Sequence, residues 1–77
     1  MTQTERIEEL TKNWKTAKII IKLEDGATVI TESSIHNLPG YIIGLQERYP
    51  KADFLISHEL RRLDGWKELE PFNMFWV

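Results

Sequence analysis

The chain has 77 residues, 42% of them apolar and 29% charged, with a formal net charge of −2; this is the composition of one globular domain and nothing in it suggests disorder. The slight acidic balance argues against a generic electrostatic grip on nucleic acid, and the absence of cysteine excludes disulfides and thiolate zinc sites. A polar start, Met1-Thr2-Gln3-Thr4-Glu5-Arg6, and the lack of any apolar run of spanning length point to a soluble, cytoplasmic protein with no membrane partner.

Residues 2–14 read as a short amphipathic helix or arm. Thr2 and Glu5 have capping-box spacing, and Ile7, Leu10 and Trp14 recur on one face. Three turns are marginal alone, so this stripe is expected to dock on the sheet, on a second subunit or on a target.

Residues 16–32 form the first hairpin, around Asp25-Gly26. A three-residue loop, Glu24-Asp25-Gly26, with Gly26 in the left-handed region puts Ile19, Ile21, Leu23, Ala27 and Val29 on one face. Lys18, Ile20, Lys22, Thr28, Ile30 and Glu32 then take the other. A two-residue loop would pair Ile21 with Ile30 and scatter the apolar set.

Residues 35–49 carry Ile35, Leu38, Ile42, Leu45 and Tyr49 at helical spacing. Pro39 suits a first helical turn, which places regular helix from about Pro39 with Asn37 or Leu38 at the cap. Gly44 costs about 1 kcal/mol in a helix interior, and close approach to the sheet is its expected compensation. Pro50 ends the element.

Residues 53–77 are read as the second hairpin and an apolar tail. Phe54, Ile56, His58 and Leu60 alternate with Leu55, Ser57, Glu59 and Arg61, and the chain turns near Asp64-Gly65. Trp66 to Leu69 returns as a strand, with Pro71 confining its end to an edge or a bend. The tail, Pro71-Phe72-Asn73-Met74-Phe75-Trp76-Val77, is too apolar for a fraying terminus and is expected to be packed, as a last strand or against another chain.

The expected fold is α+β: a single domain, residues 1–77, in the order α-ββ-α-ββ, with a small, mainly antiparallel sheet and the central helix packed on one face. The sheet order stays open, including a dimer that continues the sheet.

Chemistry is sparse. His36 and His58, with Glu59, lack the spacing of a metal site, and Ser57 and His58 are strand neighbours pointing to opposite faces. Ser33 and Ser34 resemble helix-start residues, and no nucleophile elbow or phosphate loop occurs. The expectation is therefore no enzyme, no cofactor and no metal.

What stands out is an excess of large apolar side chains over what so small a core can bury. Ile20, Ile30, Trp66, Phe72, Met74, Phe75 and Trp76 are the candidate interface with another protein or in a homodimer. The expected function is a non-enzymatic protein-binding module, a small regulator or inhibitor that occupies a partner's surface. One alternative is a nucleic-acid binder using Lys12, Trp14, Lys15, Lys18 and Lys22, for which Lys/Glu pairing across a solvated face is the competing explanation. Another is a small-ligand binder at a protomer interface.

Overall fold

A computed structural model describes the backbone of residues 1–63 and 68–77 and the side chains of residues 1–61 and 70–77. Two helices and four strands follow in the order α1 (Gln3–Leu10), β1 (Thr16–Lys22), β2 (Thr28–Ser34), α2 (Leu38–Arg48), β3 (Asp53–Leu63) and β4 (Glu68–Trp76). All strand pairs are antiparallel and the sheet order is β2-β1-β3-β4. The expected α-ββ-α-ββ order is the observed one. The second turn, at Asp64-Gly65, lies outside the described residues, as does Trp66.

The first hairpin shows how local chemistry sets register. The Leu23 amide donates to the Ala27 carbonyl at 2.9 Å, Gly26 has φ 91°, and the Asp25 carboxylate accepts the Ala27 amide at 2.9 Å. Glu24-Asp25-Gly26 is thus the three-residue loop, and Ile21 pairs with Val29 while Ile20 pairs with Ile30. A β-carbon at Gly26 would meet no atom, so backbone conformation, not space, calls for glycine there.

Helix α1 begins at the expected capping box, with Thr2 Oγ1 accepting the Glu5 amide at 3.2 Å. It stops at Leu10, short of Trp14. The buried Thr11 hydroxyl donates to the Ile7 carbonyl at 2.7 Å, and Thr11 leaves helical geometry at φ −112°, ψ 10°. The three-residue stripe therefore divides: Ile7 is buried, Leu10 is exposed, and Trp14 turns separately onto His58 and Phe75, at ring-centroid distances of 4.8 and 6.2 Å.

Asn37 takes the N-cap position of helix α2 without a side-chain capping bond, Pro39 sits in the first turn, and Tyr49 is the C-cap before Pro50. Gly44 corrects an expectation. A β-carbon there would meet nothing within 4 Å and the residue is exposed, so no close approach to the sheet offsets its cost. Packing comes from the opposite stripe of the helix, where Leu38, Ile42 and Leu45 are buried.

One core joins both helices to one side of the sheet. Ile7, Leu38, Ile42 and Leu45 pack with Ala17, Ile19, Ile21, Phe54 and Ile56. Ile20 and Leu55 are also buried, at 6% and 5% exposure, yet they stand outside that cluster. Alternation along β1 and β3 sends them to the opposite face. The smallest principal extent of the molecule is 17 Å, enough for a sheet and one helix layer about 10 Å apart and too thin for a third.

Strand β4 is longer than expected and runs through Pro71, which is tolerated because the strand is an edge. The β3–β4 ladder skips one position, His58 opposite Asn73, where Asn73 has φ 53°. Ser57 fills the break. Its buried hydroxyl accepts the Phe72 amide at 3.1 Å and lies 2.6 Å from the Glu59 carbonyl and 3.0 Å from the Phe72 carbonyl. Beyond the break, Leu60 and Pro71 border the same cleft as Ile20, Ile30 and Leu55, so at these two residues β3 and β4 lean toward the open face.

Candidate functional site

The side of the sheet opposite the core carries the surplus apolar residues. Pairing registers align Ile30, Ile20, Leu55 and Trp76 in one transverse row across β2, β1, β3 and β4. The centre of the row is buried and its ends are open, with Ile30 45% and Trp76 49% exposed. The adjacent row is Glu32, Lys18, Ser57 and Met74, in which Met74 is 56% exposed and extends the apolar patch along β4.

Leu60 of β3 and Pro71 of β4 close part of this surface into a cleft of about 270 Å³, lined also by Ile20, Ile30, Leu55 and the polar Lys22 and Thr28. Charges around the patch balance one another. Lys18 forms an ion pair with Glu32, and the Lys22 ammonium sits 5.6 Å from the centroid of the Trp76 ring. Lys22 also stands opposite Asp53 in the β1–β3 register.

Four of the candidate interface residues therefore come together: Ile20, Ile30, Met74 and Trp76. Two do not. Phe75 pairs with Ile56 on the core side, half-buried against Trp14 with the Arg6 guanidinium 5.5 Å from its ring centroid. Strand alternation imposes that separation from Met74 and Trp76. Phe72 lies beyond the break in the ladder, with the Arg61 guanidinium 3.6 Å from its ring centroid. Trp66 lies outside the described residues.

The basic set is dispersed. Lys18 and Lys22 share the open face, but Trp14 is half-buried on the core side and Lys12 pairs with Glu9 at 3.2 Å near the end of α1. Lys15 precedes β1 and its carbonyl accepts the Ile35 amide at 3.0 Å.

Leu55, Leu60 and Pro71 are the members of the site missing from the sequence-based set. Leu55 had a signal. Ile19-Ile20-Ile21 and Phe54-Leu55-Ile56 are unbroken apolar triplets, the mark of strands covered on both faces. They are the two central strands, and each sends its middle residue to the open face. Leu60 and Pro71 lie beyond the break in the β3–β4 ladder, which no local pattern announces.

A polar hollow of about 760 Å³ gathers Glu32, Ser33, Ser34, His36 and Tyr41 beside the start of α2. The Ser33 hydroxyl donates to the Ser34 carbonyl at 2.9 Å, and no serine–histidine hydrogen bond is present among the described residues. Nor do three His, Cys, Asp or Glu side chains converge among them. No helix among the described residues is long and apolar enough to cross a membrane.

Comparisons with models of known protein families, with curated proteins and with solved structures find no match to this chain.

Proposed function

We propose that this chain is a non-enzymatic protein-binding module that docks a partner on its open sheet face, acting in the cytoplasm as a small regulator or inhibitor that occupies the partner's surface. The observation that carries this reading is the gathering of Ile20, Ile30, Leu55, Met74 and Trp76 on a face that no helix covers. With the α2 residues Leu38, Ile42 and Leu45 in the core cluster, no contact among the described residues buries the large apolar side chains at the two ends of the row, Ile30 and Trp76. A tryptophan and a methionine beside buried isoleucine and leucine form an anchor and an adaptable contact, as binding hot spots do. Lack of cysteine suits a reducing compartment.

The test is capture of partners from a native lysate with the whole chain, at low and high salt, comparing wild type with Trp76→Ala, Met74→Glu and a core-side surface variant, Glu47→Gln. Retention of a discrete protein that survives high salt, is kept by Glu47→Gln and is lost with both open-face variants supports docking through the row. Retention that ignores Trp76→Ala and Met74→Glu overturns it.

Nucleic acid is the second reading, because Lys18, Lys22 and Trp76 share the open face and the pairing of cations with an exposed ring suits single strands. It predicts binding that collapses as salt rises.

A further inference from the structure

The two edges of the sheet are built differently. β4 is guarded by Pro71, by the left-handed Asn73 and by a skipped ladder position; proline and kinks of this kind keep one sheet edge from pairing with another. β2 has no proline, no lysine and no residue at positive φ over Thr28–Ser34. Its single charged residue, Glu32, is taken up by the ion pair with Lys18 on the neighbouring strand. Proline, lysine and a backbone kink are thus all missing from this edge.

The phase of the β1–β2 ladder fixes what that edge presents. Hydrogen bonds from Leu23 to Ala27 and from Ile35 to Lys15 mark the 23/27 and 15/35 positions as hydrogen-bonded pairs. By alternation, Val29, Thr31 and Ser33 bond inward to β1, and Thr28, Ile30, Glu32 and Ser34 turn their amides and carbonyls outward.

We infer that the outer edge of β2 pairs antiparallel with β2 of a second copy of this chain, about a two-fold axis at Ile30, joining two four-stranded sheets into one. This register is selected by the residues themselves. It sets Ile30 against its symmetry mate and Thr28 against Glu32 of the other copy, so the apolar row continues across the axis and no like charges meet. Centring on Glu32 would oppose two carboxylates, and centring on Thr31 would set Ile30 against Glu32. Three hydrogen-bonded positions supply roughly six new ladder bonds. Exposed Val29 and Tyr41, the latter 3.2 Å from Thr31 through its hydroxyl, add contact on the helix side. The dimer doubles the open face without covering it, so dimerisation and partner docking are separable.

The experiment is light scattering over a concentration series on the full chain, with amide exchange followed by NMR. Thr28→Pro removes one outward amide without touching the inward ladder, at the first position of a strand where proline is tolerated. Thr28→Glu is the second variant, favourable beside Lys22 within the chain and repelled by Glu32 of the other copy. Expected are a dimer in wild type, slow exchange at Thr28, Ile30 and Glu32 that appears with concentration, and dissociation constants raised about tenfold or more in both variants. A monomer at every concentration with fast exchange at those three amides overturns the inference, as does a dimer that Thr28→Glu leaves unchanged. Trp76→Ala lies off the edge and reports on partner docking alone, so failure of one reading is distinguishable from failure of the other.

Discussion

Ser57 is bonded to Phe72 beside a break in the β3–β4 ladder: its hydroxyl accepts the Phe72 amide at 3.1 Å next to the skipped pair His58 and Asn73. Leu60 and Pro71, just beyond this break, border the cleft on the open face. Ser57→Ala removes the acceptor and leaves polar backbone groups around it without a partner. The expected loss is about 1–3 kcal/mol, read from urea denaturation, with faster amide exchange at Phe72. A loss below about 0.5 kcal/mol would show that water substitutes for the hydroxyl.

The two sides of the sheet differ in what they contribute to stability. Ile19 is fully buried in the core, and Ile19→Ala is expected to cost about 2–5 kcal/mol, a large share of the stability of a domain this small, about 4–11 kcal/mol by size. Met74→Ser and Ile30→Thr on the open face are expected to cost less than about 1 kcal/mol each, because both side chains are already half in water. Equal losses on the two sides would mean that the open face is structural.

Glycines at two positions should respond with opposite signs to alanine. Gly44 sits in an exposed helix interior with open space around its absent side chain, and Gly44→Ala is expected to stabilise by about 1 kcal/mol. Gly26 has equal space but φ 91°, and Gly26→Ala is expected to destabilise by about 1–2 kcal/mol through backbone strain. Thermal melts of the two variants, displaced in opposite directions from wild type, check both.

Arg6 ties the first helix to the last strand. Its guanidinium donates to the Trp76 carbonyl at 2.8 Å while lying over the Phe75 ring. Arg6→Met keeps much of the aliphatic packing and removes the donor, with an expected loss of about 0.5–1 kcal/mol because the bond is solvent-exposed. Trp76 fluorescence, isolated by replacing the other tryptophans with phenylalanine, should become more mobile in polarisation measurements.

Much of this architecture is written locally. Asp25-Gly26 carries its own turn chemistry, Thr2 and Glu5 cap a helix within four residues, and Pro39 and Pro50 bracket α2, so element order and the first register follow from short-range rules. Helix length was less legible, since Trp14 keeps helical spacing although the backbone has already left the helix at Thr11. The strand order was present but easily missed, in the apolar triplets of β1 and β3. For the site, alternation alone groups Ile20 with Ile30. Joining them to Met74 and Trp76, and parting these from Phe75, requires the pairing of β3 with β4, a long-range event. The placement of Phe72 lies beyond the break at His58 and Asn73, which alternation does not reach.

The most direct test of the open-face account is site-specific photocrosslinking in living cells, with benzoylphenylalanine placed at Met74 on the open face and, separately, at Glu47 on the exposed side of α2. A discrete protein adduct from position 74, absent from position 47 and lost when Trp76→Ala is added, is the predicted result. Adducts from position 47 with none from position 74, or adducts to nucleic acid alone, would contradict the claim that this sheet face is where a partner protein docks.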